Sequence, residues 1–353
     1  MRLLSRYVGG TVLSSILLVL AIIVGLDGLT AFIDESQKIS QSYTFFHVAG
    51  YVLLTVPGRI YEYVPFAALI GCLIGLGQLA SSSEIVVMRA AGVSIARLVW
   101  LVMKPTFLVA GIGFLVGEYL APFTEQIAQS QKAIAQSRGE ETLGSPGAWN
   151  REGNTFMSFN AVEANGVVHG IKVLQFDNSR RLLSALRADR ATFRDDYWLM
   201  EKVVKTSFTS WENRQTVHTT LHWDTGITPK LLTMVAVAPE HLPIDDLYRY
   251  SRYLRQQGLD SDDYRLALWR KMLQPLAIAG LVLVAVSFIF GPLRDGTMGF
   301  RIFAGVIIGI VFRTLQNLLG PASLVFGFSP IYAALLPIVI CLTVGAWMLR
   351  KAR

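Results

Sequence analysis

The chain has 353 residues, of which 52% are hydrophobic and only 16% charged, well below the roughly 25% charged residues of soluble domains. A soluble globular protein is thereby excluded. The net charge of +7 is carried largely by bases beside apolar runs rather than by bases interleaved with aromatics on a wet surface, which excludes a nucleic-acid interface as well.

Six apolar runs reach the ~20 residues that a helix needs to cross ~30 Å of hydrocarbon. They lie at about 8–33, 57–80, 98–120, 269–291, 300–319 and 330–349. The first follows Arg2 and Arg6 but is too long for a signal peptide and has no small-residue cleavage site after it, so it is expected to stay as an anchor. On its outer half Asp27, Thr30, Asp34 and Lys38 recur at spacings of three and four, one stripe of a helix. The second span carries Gly71 and Gly75, the third Gly113 and Gly117, and the fifth Gly305 and Gly309. Such G-x-x-x-G pairs let helices approach closely, within a fold or across a dimer. Cys72 and Cys341 both fall inside spans and offer the connecting segments no disulfide.

Between spans 2 and 3 lies "SSSEIVVMRAAGVS", residues 81–94. Ser81 and Glu84 have the S-x-x-E spacing of a capping box, with Ser81 at the N-cap and Glu84 at N3, and Gly92 is a natural terminator. A helix over 82–91, roughly 15 Å long, is expected. Ile85 and Met88 cover one side and Val87, Ala90 and Ala91 another, so no side is properly polar. A short helix that is apolar all round either lies in the membrane interface or is buried against a partner.

Spans 3 and 4 are separated by about 145 residues of different character. From Ala148 to Val237 the pattern is alternating and β-branched, in "NTFMSFNAVEANGVVHGIKVLQFD", "RLLSALRADRATFRDDYWLMEKVVKTSFTS", "QTVHTTLHWDTGI" and "KLLTMVAVAP", with Asn165-Gly166 as a hairpin signal. An all-β sandwich or partly open barrel is expected, with "EYLAPFTEQIAQSQKAIAQSR" before it and "LPIDDLYRYSRYLRQQG" and "DSDDYRLALWRKMLQP" after it as helices. In span 5, Gly305, Gly309, Arg313 and Asn317 recur every four residues, with Arg301 at the inner end. Ionisable groups inside a membrane cost several kcal/mol unless partnered or wet. The stripes of spans 1 and 5 therefore face a cavity or hold the bundle together, for instance by Arg313 with Asp34.

Orientation follows from bases in the short connections. Arg2 and Arg6, Arg89 and Arg97, Arg294 and Arg301, and the final "RKAR" all lie on one side, which puts both termini in the cytoplasm and the β-module outside it. Arg59, Arg265, Arg270 and Lys271 then fall on the outer side against the rule, and with Lys38 they suit the phosphates of a large anionic amphiphile or snorkel to ordinary headgroups. No G-x-x-x-x-G-K-[ST], G-x-S-x-G or H-E-x-x-H occurs, so nothing supports a nucleotide site or a hydrolase in this chain. His218 and His222 share a strand face but lack a third ligand nearby and read as a polar face, so no metal is expected.

"RYVGGTVL", "LGQLASSSEIVVMRAAGVS", "GEYLAPFTEQIA", "LWRKMLQPLAIAGLVLVAVSFIFGPLR" and "GPASLVFGFSPIYAALLPI" together resemble the lipopolysaccharide export permeases of the LptF/LptG family, nearer its LptG branch. The resemblance covers nearly the whole chain. It implies an α-helical membrane protein with six transmembrane helices and an inserted periplasmic β-jellyroll-like domain, divided as 1–125 with a coupling helix at 82–91, 126–264, and 265–353. It further implies a non-catalytic subunit of an ABC exporter in the bacterial inner membrane, paired with an LptF-like chain. Two LptB-like ATPase copies hold the ATP and Mg, and LptC-like and LptA-like jellyrolls carry lipopolysaccharide toward the outer membrane. Glu84, Arg89, Ala91 and Gly92, with Met88, match the ATPase-coupling motif. Spans 1 and 5 resemble gate helices, which assigns Asp27, Thr30, Asp34, Lys38, Arg301, Gly305, Gly309, Arg313 and Asn317 to the cavity. A membrane scaffold or signalling protein with an outer β-domain is the rival expectation.

Overall fold

The structure, a computed structural model, describes residues 2–137, 148–163, 166–194, 197–208, 213–225, 228–290 and 297–351. Arg138, Asn165, Arg294 and the last two residues of "RKAR", all named above, lie outside the described residues. The chain forms two compact units, one of Met1–Leu29, Val56–Ala121 and Pro243–Arg353 and one of Thr30–Thr55 and Pro122–Leu242.

The first unit is helical. Its elements are α1 (Arg2–Ser36), α2 (Phe45–Ser81), α3 (Glu84–Ala90), α4 (Ile95–Leu115), α7 (Ile244–Gln256), α8 (Asp262–Phe290), α9 (Met298–Phe326) and α10 (Pro330–Lys351), with α1 and α2 lending their outer ends to the second unit. Among the described residues six helices are long and apolar enough to cross a membrane, one for each expected span. Each runs past its apolar window at one end or both, because a hydropathy run marks the lipid-length portion and not the helix ends.

Helix α2 is the centre of this unit, with Val64, Ala67, Ala68, Leu69, Cys72, Leu73 and Leu76 buried on all its sides. The three G-x-x-x-G pairs build that arrangement. A Cβ at Gly71 would lie 2.5 Å from Ile16 Cα and one at Gly75 3.0 Å from Val12 Cα, so α1 crosses α2 backbone to backbone. Gly113 and Gly117 receive Val64 and the Tyr61 ring, and Gly305 and Gly309 receive Leu73 and Phe66. The pairs left open above between fold and dimer are thus used inside the fold.

The second unit holds α5 (Ala121–Ser137, whose first residue belongs to the first unit) and α6 (Pro229–Ala236). Its strands are β1 (Ala148–Glu152), β2 (Thr155–Phe159), β3 (Ala161–Val162), β4 (Val167–Phe176), β5 (Leu182–Arg194), β6 (Tyr197–Phe208) and β7 (Asn213–Trp223). They form one antiparallel sheet in the order β1-β2-β4-β5-β6-β7, with β3 also on β4. The expected β-module is present as a meander. Glu163 and Val167 close the β3–β4 turn through Glu163 N donating to Val167 O, and Gly166 takes φ +82 there, where the Asn-Gly signal pointed. Met157, Phe159, Ile171, Trp198, Met200 and Leu232 lead its core.

Two expectations are corrected. "KLLTMVAVAP" is not a strand, since Pro229 follows the extended Thr228 as the first residue of α6, which buries Leu232 and Met234. In so short an apolar run strand and helix periods cannot be told apart. The insert is also bounded differently from 126–264. Residues 243–264 belong with the helical unit because α7 buries Leu247, Tyr250 and Leu254 and sets Tyr250 edge-on against Tyr264 of α8, with ring centroids 4.6 Å apart. Residues 30–55 join the second unit because Glu35 and Tyr43 are buried there, Glu35 beside Lys132 of α5.

Candidate functional site

Helix α3 forms, but not as the capping box predicts. Ser81 ends α2 and its hydroxyl donates to Gln78 O at 2.8 Å, so α3 starts at Glu84 and is seven residues long. The residue before it, Ser83, takes the left-handed φ of 63° and makes no side-chain cap. Glu84 is therefore the first helical residue rather than N3. Its Oε1 accepts from Ser82 Oγ at 2.8 Å and from Tyr7 OH of α1 at 3.1 Å. The other end matches the expected stop: Gly92 at φ +83 donates to Arg89 O, and Val93 donates to Met88 O, the paired bonds of a Schellman motif.

Ile85 and Met88 are buried in this chain's own core. Val86 and Val87 are 55% and 66% exposed, and Arg89, Ala90, Ala91 and Gly92 are exposed beside them. The helix thus has a seated apolar face and a bare apolar face with Glu84 at its edge.

The polar residues of the spans form clasps. Asp27 pairs with Arg59 and accepts from Tyr63 OH at 2.7 Å, which ties the outer part of α1 to α2. Arg313 pairs with Glu62, not with Asp34, and lies over the Tyr63 and Phe66 rings. Thr30, Asp34 and Asn317 are exposed. Lys38 stands beyond the end of α1 rather than on its stripe, and pairs with Glu35 at 3.0 Å while Lys132 approaches the same carboxylate at 2.8 Å. The bond to Glu35 holds the Lys38 ammonium above the ordinary lysine range.

Several residues expected at a cavity or at phosphates have partners within the chain. Arg301 is buried and donates to Gly77 O at 2.7 Å, and Gly305 and Gly309 receive Leu73 and Phe66 of α2, so these three fasten α9 to α2. Lys271 is 3% exposed, 3.0 Å from Glu118 and 2.9 Å from Gly117 O, inside the bundle. Arg270 donates to Gln316 O, and Arg265 pairs with Asp262 at 2.9 Å. Sequence reasoning selected the bases and missed Glu62, Glu118, Glu35 and Tyr7. The signal for the two glutamates in and beside spans was available, since an acid at membrane depth calls for a named partner.

Fold and site together define a multi-spanning membrane protein whose bundle carries an inserted antiparallel β-domain and a short helix, α3, with a bare apolar face. A family model described as lipopolysaccharide export system permease LptF/LptG matches residues 6–351. The chain is similar to the lipopolysaccharide export system permease protein LptG of Escherichia coli (strain K12), 37% identical over 99% of this chain and 98% of that one. It is also similar to the protein of that name from Haemophilus influenzae (strain ATCC 51907 / DSM 11121 / KW20 / Rd), 33% identical over 99% of each. The chain belongs to the LptF/LptG family of lipopolysaccharide export permeases.

Proposed function

We propose that this chain is the transmembrane subunit of an ATP-driven exporter that extracts lipopolysaccharide from the bacterial inner membrane and hands it to a periplasmic bridge of β-jellyrolls. It pairs with an LptF-like chain, a dimer of LptB-like ATPase supplies ATP and Mg chemistry, and LptC-like and LptA-like proteins receive the lipid. Both termini and α3 face the cytoplasm and the sheet faces the periplasm, as the distribution of Arg2, Arg6, Arg89 and Arg97 favours.

The observation that carries this reading is α3: a helix seated through Ile85 and Met88 whose outer face, Val86 and Val87, is apolar and bare. An exposed apolar face beside a held carboxylate fits a groove on another protein. Closure of the ATPase dimer presses on α3 and narrows a cavity bounded by α1 and α9, helices with long exposed flanks that include Leu26, Leu29, Ile310 and Leu318. The exposed Asn317 of α9 faces the lipid, and the clasps at Asp27 and Arg313 open and close beside it. Of the outer bases, Lys38 and Arg265 keep enough exposure to meet phosphates, their side chains being 52% and 34% exposed.

Purification of the chain with its bound proteins and lipids tests this. An ATPase subunit and lipopolysaccharide are expected in the same particle, and recovery without them overturns the reading. Glu84→Ala is expected to weaken ATPase retention or lipid release per ATP, and unchanged release reduces Glu84 to a local contact.

A further inference from the structure

Within the helical unit α1 is buried at one end only; its last turns, with Glu35 buried, belong to the second unit. Val8, Val12, Ile16 and Val19 are buried, whereas no residue from 20 to 29 is. The seat is tightest where Val12 and Ile16 meet Gly75 and Gly71, backbone against backbone. Ten or so residues further out the helix is held to α2 again, by the clasp of Asp27 with Arg59 and Tyr63. On the other side of the seat Tyr7 donates to Glu84 of α3.

Helix α3, meanwhile, is jointed at both ends. Ser83 at φ 63 and Gly92 at φ +83 break it from α2 and from α4. A displacement of α3 is therefore absorbed in part by these bends before it reaches the helices it is covalently joined to. The hydrogen bond from Tyr7 bypasses them.

We infer that Tyr7 is a positioning residue that transmits the movement of α3 to α1 through Glu84, with α1 acting as a lever on the Gly71 and Gly75 seat. This rests on the reading of α3 as the ATPase contact. Tyr7 stands about 10 Å below the middle of the seat and Asp27 about 20 Å above it, at 1.5 Å per helical residue. A displacement of α3 thus reaches the Asp27 clasp in the opposite direction and about doubled, which pulls Asp27 against Arg59 and Tyr63 and opens the cavity side of α1. Tyr7 is 52% exposed, so its hydroxyl is not needed for packing. Ser82 holds the same Glu84 oxygen without touching α1 and supplies the control.

The test uses the full chain purified with its partner chains and reconstituted in phosphatidylethanolamine vesicles containing lipopolysaccharide, with spin labels at the exposed Leu26 and Leu108. Tyr7→Phe is expected to keep the ATPase subunit and the KM for ATP while lipid release per ATP falls about fivefold, the effect of one net hydrogen bond. The nucleotide-dependent change in label distance shrinks with it, and Ser82→Ala preserves both. Normal release and a normal distance change in Tyr7→Phe overturn the inference. So does loss of the ATPase subunit in Tyr7→Phe, or the same defect in Ser82→Ala, because Tyr7 then acts on the docking or orientation of α3. If the unsubstituted complex holds no ATPase subunit, the proposed function itself fails and Tyr7 is not the cause.

Discussion

Lys271 and Glu118 are the pair in which burial and charge conflict most sharply. Their side chains are 3% and 14% exposed, the ammonium also bonds Gly117 O and lies 5.7 Å from the Tyr61 ring centre, and the free Glu118 oxygen accepts from Ile244 N of α7. Removing one partner leaves a buried charge, so Lys271→Met is expected to cost about 3–5 kcal/mol. Lys271→Met with Glu118→Gln should recover most of that loss in thermal melts of the detergent-solubilised protein. The Arg313 and Glu62 side chains are 42% and 45% exposed; with water in the cavity beside them Arg313→Gln is expected to change stability by less than about 1 kcal/mol, against several kcal/mol for a pair that faces hydrocarbon. A stability loss as large as that of Lys271→Met would show Arg313 to be structural rather than a clasp at the cavity. The bases were visible in the sequence as violations of the orientation rule. The acids of Arg59 and Lys271 were not assigned, because Asp27 and Glu118 lie far away in the chain and helix facing is not written in hydropathy. Those of Arg265 and Lys38, Asp262 and Glu35, stand only three residues away and were within reach of helical spacing.

At the scale of elements, the six spans were legible because each needs one uninterrupted apolar run, and the strands because period two persists over ten residues in β4 to β7. Short elements were less so. The S-x-x-E spacing at Ser81 was satisfied in sequence, yet α2 simply continues through Ser81, and the hydroxyl bonds back to Gln78 instead of capping forward. The stop at Gly92 was legible because positive φ is a backbone demand that glycine meets at no steric cost. Gly92→Ala is expected to cost about 1 kcal/mol of strain at that joint. Melting should shift little, while ATP-driven release should fall if the bend after α3 matters. Gly71→Val places side-chain carbon against the Ile16 backbone, which cannot yield as a flexible side chain would. It is expected to part α1 from α2, seen as a lower melting temperature or failure to assemble; wild-type melting and assembly would show that the crossing is looser than the geometry requires.

For the whole molecule, the insertion of a β-unit between two three-span halves was readable from the switch of hydrophobic period, while its limits were not, because 30–55 and 243–264 join their units through packing of polar and aromatic residues. Topology is testable at this scale. A cysteine at Leu3, 84% exposed, is expected to react with an impermeant maleimide from the cytoplasmic side and one at Val217 of β7, 73% exposed, from the periplasmic side; swapped labelling would reverse the assignment and labelling of both from one side would refute it. The central claim is that α3 is where a separate ATPase seats. A photo-crosslinking residue placed at Val87 in intact cells tests it most directly. A covalent adduct with the ATPase subunit is expected, diminished in Glu84→Ala, whereas adducts with lipid alone would mean that α3 lies in the membrane interface and seats no ATPase.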